Sequence, residues 1–286
     1  MVANVRNFNY TRGKNTNKNE DFIMYENLYA PIPDVDAYLD RLQLGSSVRT
    51  DLDFLDSLVY FHQCSIPFEN LDSYVFHLPV SLEIQDIFKK IIINRRGGYC
   101  FELNALFNQL LRDLGFHAYA CMCRIIEEGY VVPLVSHRAV LVELGQKLYF
   151  CDVGFGGPTP PGAVPVEDGA SRSFGRETYF IDRTDSYWWT LSRTRSSGAH
   201  EKIMQFYTMP QENVDYLALN EFYSNSPESD FTQMLYLNIR TPSGCNSIVG
   251  DVFTRISDGH AAQRNIQSED DFYQILKDDF KLPISL

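Results

Sequence analysis

Apolar residues recur with a helical period in the first third of the chain. The clearest stripe follows Cys100 and comprises Leu103, Leu106, Phe107, Leu110, Leu111 and Leu114. This spacing places all six side chains on one face of a helix, and Gly115 is a natural stop for it. Earlier segments predict three more helices, near 34–44, near 51–66 and, capped by Ser81, over 81–92. The first third is therefore predicted to be a helical bundle.

Beyond residue 115 the pattern changes to the alternation and β-branched content typical of strands. Strands are predicted at 117–126, 137–144, 147–153, 176–181 and 187–193, which indicate an antiparallel sheet or a small barrel. The last third is mixed, with predicted helices at 213–225 and 268–280 and predicted strands at 232–241 and 250–257.

The composition and net charge of the chain indicate which kinds of macromolecule it is ill suited to bind. The 286 residues carry a formal net charge of −12 and are 44% hydrophobic, which is ample for a large buried core. An acidic chain without a basic run is a poor candidate for binding nucleic acid or an anionic membrane. We therefore expect neither as a partner.

The cysteine content and the N-terminus indicate the cellular compartment and whether a metal is bound. Six cysteines without a C-x-x-C pair favour neither a disulfide framework nor a structural zinc site, and no histidine shows metal-ligand spacing. The polar N-terminus has no apolar core of signal-peptide length, and no window is apolar enough to span a membrane. The sequence predicts a cytoplasmic protein without a bound metal.

Cys100 is the first candidate for chemistry. It follows Gly97 and Gly98 and stands in the first turn of the best-patterned helix. The positive end of a helix dipole lowers a thiol pKa and favours the nucleophilic thiolate. Taken alone, a cysteine at this point is more often a small residue at a helix start.

A hairpin predicts that His137 and Asp152 lie close together. If Gly145 and Gln146 form a two-residue turn, residue 144 pairs with 147 and Asp152 falls opposite Ala139. His137 and Asp152 are then diagonal neighbours, with backbones ~7–8 Å apart. A carboxylate so placed fixes the imidazole tautomer and lets the other ring nitrogen deprotonate a thiol. Spacing alone leaves open a core histidine and a turn aspartate.

Four segments, in order, resemble the arylamine N-acetyltransferase family. They are IPFENLD (66–72), RRGGYCFELN (95–104), SHRAVLVEL (136–144) and DVGFGG (152–157). The R-G-G-x-C and D-x-G-F-G patterns are the most specific, and the resemblance extends over roughly residues 34–286.

The resemblance implies an α+β multidomain fold with a cysteine-protease-like triad arrangement. It implies a helical bundle (31–115), a central antiparallel β-barrel (116–210) and a C-terminal α/β lid (211–286). The polar residues before them are predicted to form an N-terminal extension (1–30), which is a departure from the family pattern. Cys100, His137 and Asp152 match the family's nucleophile, base and orienting carboxylate. An acyl group would pass in ping-pong fashion from acetyl-CoA, or a related acyl-CoA, to Cys100 and then to an arylamine, arylhydrazine or N-hydroxyarylamine, with no permanently bound cofactor.

Supporting positions also follow from the resemblance. Glu69 and Arg96 match an ion pair near the nucleophile. Phe68 and Phe155 match aromatic residues of the acceptor pocket, where core packing is an equal alternative. The positions expected to contact substrate or coenzyme A are Val135, Ser136, Gly156 and Gly157. The chain departs from the family pattern at Tyr99, where a Trp is common, and in SHRAV, where Thr-His-Met is more usual.

Two other readings of the same residues remain open. A cysteine hydrolase or amidase would use the same three side chains, with water or a protein amine as the acceptor. The papain-type segment C-G-[SA]-C-[WY] is absent from the sequence, which disfavours this reading. A non-catalytic binding module would keep the fold without turnover, and the presence of all three candidate residues disfavours it.

Overall fold

A computed structural model describes residues 25–45, 47–126, 132–194 and 198–284. Most of the predicted polar extension, residues 1–24, therefore lies outside the described residues. In the described ranges, no helix combines the length and the hydropathy needed to cross a bilayer.

Helices dominate the first part of the chain and return near its end. A 3₁₀ turn spans Glu26–Tyr29, a π-helical turn spans Lys89–Ile93 and a second 3₁₀ turn spans Asn213–Tyr216. The α-helices are α1 (Val35–Arg41), α2 (Leu52–Ser65), α3 (Leu71–Tyr74), α4 (Ile84–Phe88), α5 (Cys100–Asp113), α6 (Leu217–Asn225), α7 (Asp230–Gln233) and α8 (Glu269–Asp279).

The strands of the described ranges form two antiparallel sheets. One is an eight-stranded, nearly closed barrel of order β5-β4-β3-β2-β9-β8-β7-β6, in which edge strands β5 and β6 approach each other. The other has the order β1-β10-β11-β12-β13. The strands are β1 (Phe68–Glu69), β2 (His117–Ile125), β3 (His137–Leu144), β4 (Lys147–Cys151), β5 (Val164–Pro165), β6 (Ala170–Phe174), β7 (Glu177–Arg183), β8 (Trp188–Thr194), β9 (His200–Tyr207), β10 (Tyr236–Thr241), β11 (Gly244–Val249), β12 (Val252–Ser257) and β13 (His260–Asn265). The molecule thus has an α+β fold.

The predicted helices α2 and α5 are confirmed. The Asp51 carboxylate caps α2 by accepting a hydrogen bond from the Phe54 N–H at 2.8 Å, and α2 ends at Ser65, before Pro67. Helix α5 begins at Cys100 and ends before Gly115, whose φ of +91° suits glycine. The leucine stripe of α5 is buried in the largest apolar core.

The helix predicted over 81–92 is wrong at its start and in its regularity. Ser81 does not cap it: its hydroxyl accepts the Glu83 N–H and donates to Asp86, while Glu83 is still extended and Ile84 is the first helical residue. From Lys89 the helix widens into a π-turn. Hydrophobic spacing cannot distinguish these two kinds of helical turn over so short a segment.

Several strands lack the apolar alternation that sequence analysis uses. Strands β6, β11 and β13 are too polar to be recognised, and β13 is exposed along its whole length. Strand β9 has a polar start, and its buried residues Ile203, Met204 and Phe206 do not alternate strictly. The strand predicted from residue 232 starts only at Tyr236, because Ser229 caps the short helix α7 immediately before it. Polar strands of this kind are defined by pairing with their neighbours.

Candidate active site

Cys100 is the first residue of α5 and is only 2% exposed. The residue before it, Tyr99, has extended backbone, and its N–H donates to Glu102 Oε2 at 3.1 Å. This contact satisfies a backbone donor at the start of the helix. The Cys100 thiol lies 4.0 Å from the backbone oxygen of Ser136. The nucleophile candidate is thus held at the junction of α5 and the segment that leads into β3.

The β3–β4 hairpin has the predicted register. Leu144 pairs with Lys147 and Val140 with Cys151, so Asp152 follows the last pair directly. His137 Nε2 and Asp152 Oδ2 are 2.7 Å apart, and both residues are buried. The diagonal contact that the hairpin register predicts is therefore present.

The orientation of the imidazole follows from this contact. Because Nε2 is engaged by Asp152, Nδ1 is the ring nitrogen left to accept a proton from Cys100. Burial opposes protonation of His137, but the carboxylate of Asp152 and the hydrogen bond and charge of Cys100 outweigh it and raise the pKa of His137 to about 10. The imidazole is therefore a strong proton acceptor for the thiol.

Asn104 also takes part in this site, although sequence analysis did not select it. Its Nδ2 donates to Asp152 Oδ1 at 2.9 Å and to the backbone oxygen of Arg138 at 2.6 Å, and its Oδ1 accepts the Val153 N–H at 3.1 Å. Asn104 lies one helical turn after Cys100, so both face the same side of α5. That spacing within RRGGYCFELN was the available signal.

Gly154 lets the loop after β4 approach α5 closely. Its N–H donates to Asp152 Oδ1 at 2.9 Å. A Cβ at Gly154 would lie 2.8 Å from Asn104 Nδ2 and 3.1 Å from the Cα of Cys100, which is too close for any larger residue. The glycine in D-x-G-F-G is therefore required by packing against the start of α5.

The backbone oxygen of Asp152 is held from the other side. Gln63, on α2, donates to it at 2.8 Å and to the backbone oxygen of Pro160 at 2.9 Å. Arg240, on β10, donates to Gln63 Oε1 and to the backbone oxygen of Thr159, each at 2.6 Å. These contacts tie both sheets and α2 to the loop that carries Asp152.

The predicted binding residues lie around His137 and the loop that carries Asp152. The Phe155 ring is 5.5 Å from the imidazole of His137 in edge-to-face geometry. Phe68 packs on Gly156, where a Cβ would be 2.6 Å from the ring. The other three predicted positions are Gly157, beside the Phe155 ring, and Val135 and Ser136, half-buried just before His137.

Glu69 and Arg96 form the predicted ion pair, at 2.8 Å, within a larger cluster. Arg96 also contacts Asp72 at 2.8 Å, and Lys90 contacts Asp72 and Glu102 at 2.7 Å each. We call these five residues the ionic cluster. It lies against the first turn of α5, because Glu102 belongs to that helix.

The ionic cluster contains three acids and two bases, and burial and the contacts between them shift several of their pKa values. Burial raises the pKa of Glu102 to about 7, although Lys90 opposes the shift. Burial also disfavours the charge on Lys90, but the surrounding carboxylates outweigh it and raise the pKa of Lys90 above its usual range. Against the effect of burial, the neighbouring carboxylates also raise the pKa of Arg96, so both bases remain charged.

Comparison with known proteins agrees with the resemblance. The family model for N-acetyltransferase matches residues 51–286. The arylamine N-acetyltransferase of Escherichia coli (strain K12) is 29% identical over 255 residues, which cover 88% of this chain and 90% of that protein.

Solved structures show the same fold. The arylamine N-acetyltransferase from Salmonella typhimurium superposes with a TM-score of 0.82 at 29% identity, covering 88% of this chain and 92% of that one. The Mycobacterium marinum arylamine N-acetyltransferase in complex with CoA gives 0.81 at 27% identity, with 87% and 93% covered. The chain described here belongs to the arylamine N-acetyltransferase family.

Proposed function

We propose that this protein transfers an acyl group from acyl-CoA to the nitrogen of an arylamine or arylhydrazine through a thioester on Cys100. The observation that carries the proposal is the buried contact of 2.7 Å between His137 and Asp152, with the Cys100 thiol at the start of α5 and 4.0 Å from the backbone oxygen of Ser136, the residue before His137. This is a cysteine-protease-like triad, built on the start of α5 and the β3–β4 hairpin.

In the first half-reaction His137 takes the proton of Cys100 at Nδ1. The thiolate attacks the acyl-CoA carbonyl, its sulfur bonds to the carbonyl carbon, and the bond to the sulfur of coenzyme A breaks. Coenzyme A leaves with the proton returned by His137. Asp152 holds the imidazole in the correct tautomer and stabilises its protonated form.

In the second half-reaction the amine nitrogen attacks the acyl–Cys100 thioester. His137 accepts the proton that the nitrogen loses, and the Cys100 thiolate leaves. Because Cys100 and His137 are each 2% exposed, water is largely excluded from the thioester. This protects the intermediate from hydrolysis and favours transfer over the hydrolase alternative.

We propose that the acceptor ring is held by Phe68 and Phe155, since Phe155 already packs edge-to-face on the imidazole. Val135, Ser136, Gly156 and Gly157 are proposed to contact the substrates through their backbone. Glu69 and Arg96 are proposed to support the start of α5. The functional unit would comprise the bundle (31–115), the barrel (116–210) and the lid (211–286).

Intact-mass measurement after mixing with acetyl-CoA tests this function. We expect the wild type to gain the mass of one acetyl group, Cys100→Ala to gain nothing, and Cys245→Ala, which changes a cysteine on β11, to behave as wild type. The adduct should disappear when 5-aminosalicylate or hydralazine is added.

A panel of acetyl-, propionyl- and malonyl-CoA crossed with these amines, read by release of coenzyme A, identifies the donor. Peptide cleavage without any acyl adduct would support the hydrolase alternative. Absence of both adduct and turnover with every donor would support a binding module.

A further inference from the structure

The alignment of Asp152 with His137 depends on the backbone of Asp152 as well as on its carboxylate. The β3–β4 ladder ends at the pair Val140–Cys151, so Asp152 is the first residue beyond it. The peptide that follows Asp152 therefore needs a support other than the ladder. Gln63 on α2 provides one, through a side chain that the mechanism above does not use.

Gln63 is 6% exposed, and both ends of its amide are engaged. Its Nε2 donates to the backbone oxygens of Asp152 and Pro160, and its Oε1 accepts from Arg240 Nε. Because a guanidinium only donates, Arg240 requires the amide oxygen on its side and leaves the NH₂ group for the two carbonyl oxygens. The opposite flip would set donor against donor and acceptor against acceptor. Arg240 thus selects the orientation of the Gln63 amide.

A second connection leads from Arg240 to the same oxygen of Asp152. Arg240 Nη2 donates to the backbone oxygen of Thr159 at 2.6 Å, and Thr159 Oγ1 donates to the backbone oxygen of Asp152 at 3.4 Å. The hydroxyl of Tyr179 on β7 also donates to the Thr159 oxygen, at 3.1 Å. The acceptors of Arg240 in these contacts are neutral oxygens, so the contacts fix geometry and do not neutralise its charge.

Arg240 belongs to a strand that also contacts the proposed acceptor pocket. Strand β10 pairs with β1, where Phe68 lies opposite Asn238, two residues before Arg240. One strand of the second sheet therefore supports both Phe68 and the loop that carries Asp152.

We propose that Gln63, oriented by Arg240, is a positioning residue that holds the peptide of Asp152 so that its carboxylate stays aligned with His137. The inference rests on the proposed function for the role of the His137–Asp152 pair. It adds that the second sheet, through β10, sets the geometry of an acid carried by the barrel. Because Gln63 and Arg240 act on the alignment of Asp152, their loss should slow the chemical step without weakening the binding of acyl-CoA.

Single-turnover release of coenzyme A, measured over a range of acetyl-CoA concentrations without amine, tests the inference. Gln63→Glu is the central variant, because its carboxylate keeps Arg240 as a partner but turns an acceptor towards the oxygens of Asp152 and Pro160. We expect the maximum rate to fall about 10–100-fold. The acetyl-CoA concentration that gives half of this rate should stay within about twofold of the wild-type value.

Gln109→Glu on α5 is the matched control. Gln109 is 7% exposed, and its amide donates to Asp113 Oδ1 at 2.8 Å, so this substitution also turns a carboxylate towards an oxygen acceptor. It should lower the free energy of unfolding in urea and leave the maximum rate close to that of the wild type. Equal losses of rate in the two variants would make the role of Gln63 purely structural and overturn the inference.

Arg240 supplies a second pair of variants, which decides the question even where Gln63→Glu does not fold. Arg240→Met removes the donor that selects the amide orientation and should lower the maximum rate about tenfold. Arg240→Lys keeps a charged donor on that side and should restore most of the rate. A wild-type rate in Arg240→Met, or no recovery in Arg240→Lys, overturns the inference.

The acetyl adduct of the wild type separates this inference from the proposed function. If the wild type forms the adduct and Gln63→Glu forms it at the same rate, only the inference fails. If the wild type forms no adduct with any acyl-CoA, the proposed function fails, and the role of Gln63 and Arg240 fails with it.

Discussion

Two groups of buried charges lie against the first turn of α5, and they are compensated in different ways. In the ionic cluster, acids and bases contact one another directly at 2.7–2.8 Å. In the candidate site, only one direct pair, His137 with Asp152 at 2.7 Å, is present among the described residues, and a neutral amide, Asn104, holds the other oxygen of the Asp152 carboxylate.

The difference shows how one helix start can be both rigid and reactive. Direct ion pairs fix side chains in place, because separating them would leave charges buried and alone. Amide contacts also fix geometry, but they leave the charge on each ion free to respond when a proton moves nearby. The ionic cluster therefore holds the start of α5, while the candidate site can change its ionisation during a reaction.

The largest expected effect is on the site side of this comparison. In Asp152→Asn the amide oxygen should stay with its two donors, the Asn104 side chain and the Gly154 N–H, so the amide NH₂ would face His137. The imidazole would then carry its proton on Nδ1, towards the thiol, and be unable to accept another. We expect acyl transfer to fall about 10³–10⁴-fold with an unchanged circular dichroism spectrum.

Coenzyme A release under single-turnover conditions measures this loss. A rate within a few fold of the wild type would remove Asp152 from the mechanism and with it the contrast between the two groups.

The next effect is on the ionic cluster. Lys90→Met would leave Asp72 and Glu102 buried without their shared cation, which we expect to lower the free energy of unfolding by about 3–5 kcal/mol. Urea unfolding measures it. Arg264→Met is the matched control, since its pair with Asp271 lies on the surface and should contribute little. Equal losses of unfolding free energy in the two variants would show that the buried ionic cluster stabilises the fold no more than a surface ion pair does.

The pH dependence of stability sharpens the comparison further. The pKa of Glu102 is about 7 in the folded protein and near 4.5 for a free side chain. Between these two pH values Glu102 binds a proton in the folded state but not in the unfolded state. The resulting stabilisation of the folded state is complete below about pH 4.5 and is lost as the pH rises through 7.

Glu102→Gln cannot titrate and removes this contribution. The difference in free energy of unfolding between wild type and variant should therefore change by about 2–3 kcal/mol between pH 5 and 8. The wild type should become less stable relative to the variant as the pH rises. Parallel curves for the two proteins would place the excess proton on another group.

The smallest expected effect concerns Tyr99, whose backbone joins the two groups of charges. Its hydroxyl donates to Asn220 Oδ1 on α6, within a buried contact. Tyr99→Phe would leave that oxygen without its donor and should cost about 1–2 kcal/mol of unfolding free energy. Tyr187→Phe, an exposed tyrosine, is the control. A change in acyl transfer larger than the change in stability would give Tyr99 a role beyond packing.

The parts of this site that were predictable depend on local rules. A two-residue turn at Gly145 and Gln146 fixed the register that joins His137 to Asp152, and the leucine stripe placed Cys100 at a helix start. Glu69 and Arg96 were identified only through the family resemblance. Asp72, Lys90 and Gln63 were missed, because their contacts depend on how separate helices pack and, for Lys90, on a π-turn that widens the helix.

The pairing of β1 with β10 has a consequence for how the chain is made. Phe68 and Glu69 pair with Asn238 and Leu237, about 170 residues later. A polypeptide emerging from a ribosome cannot complete this pairing until most of it has been synthesised, and contacts so distant in sequence form slowly. Since Phe68 packs on Gly156 beside the candidate site, the pocket would take its final shape only near the end of translation.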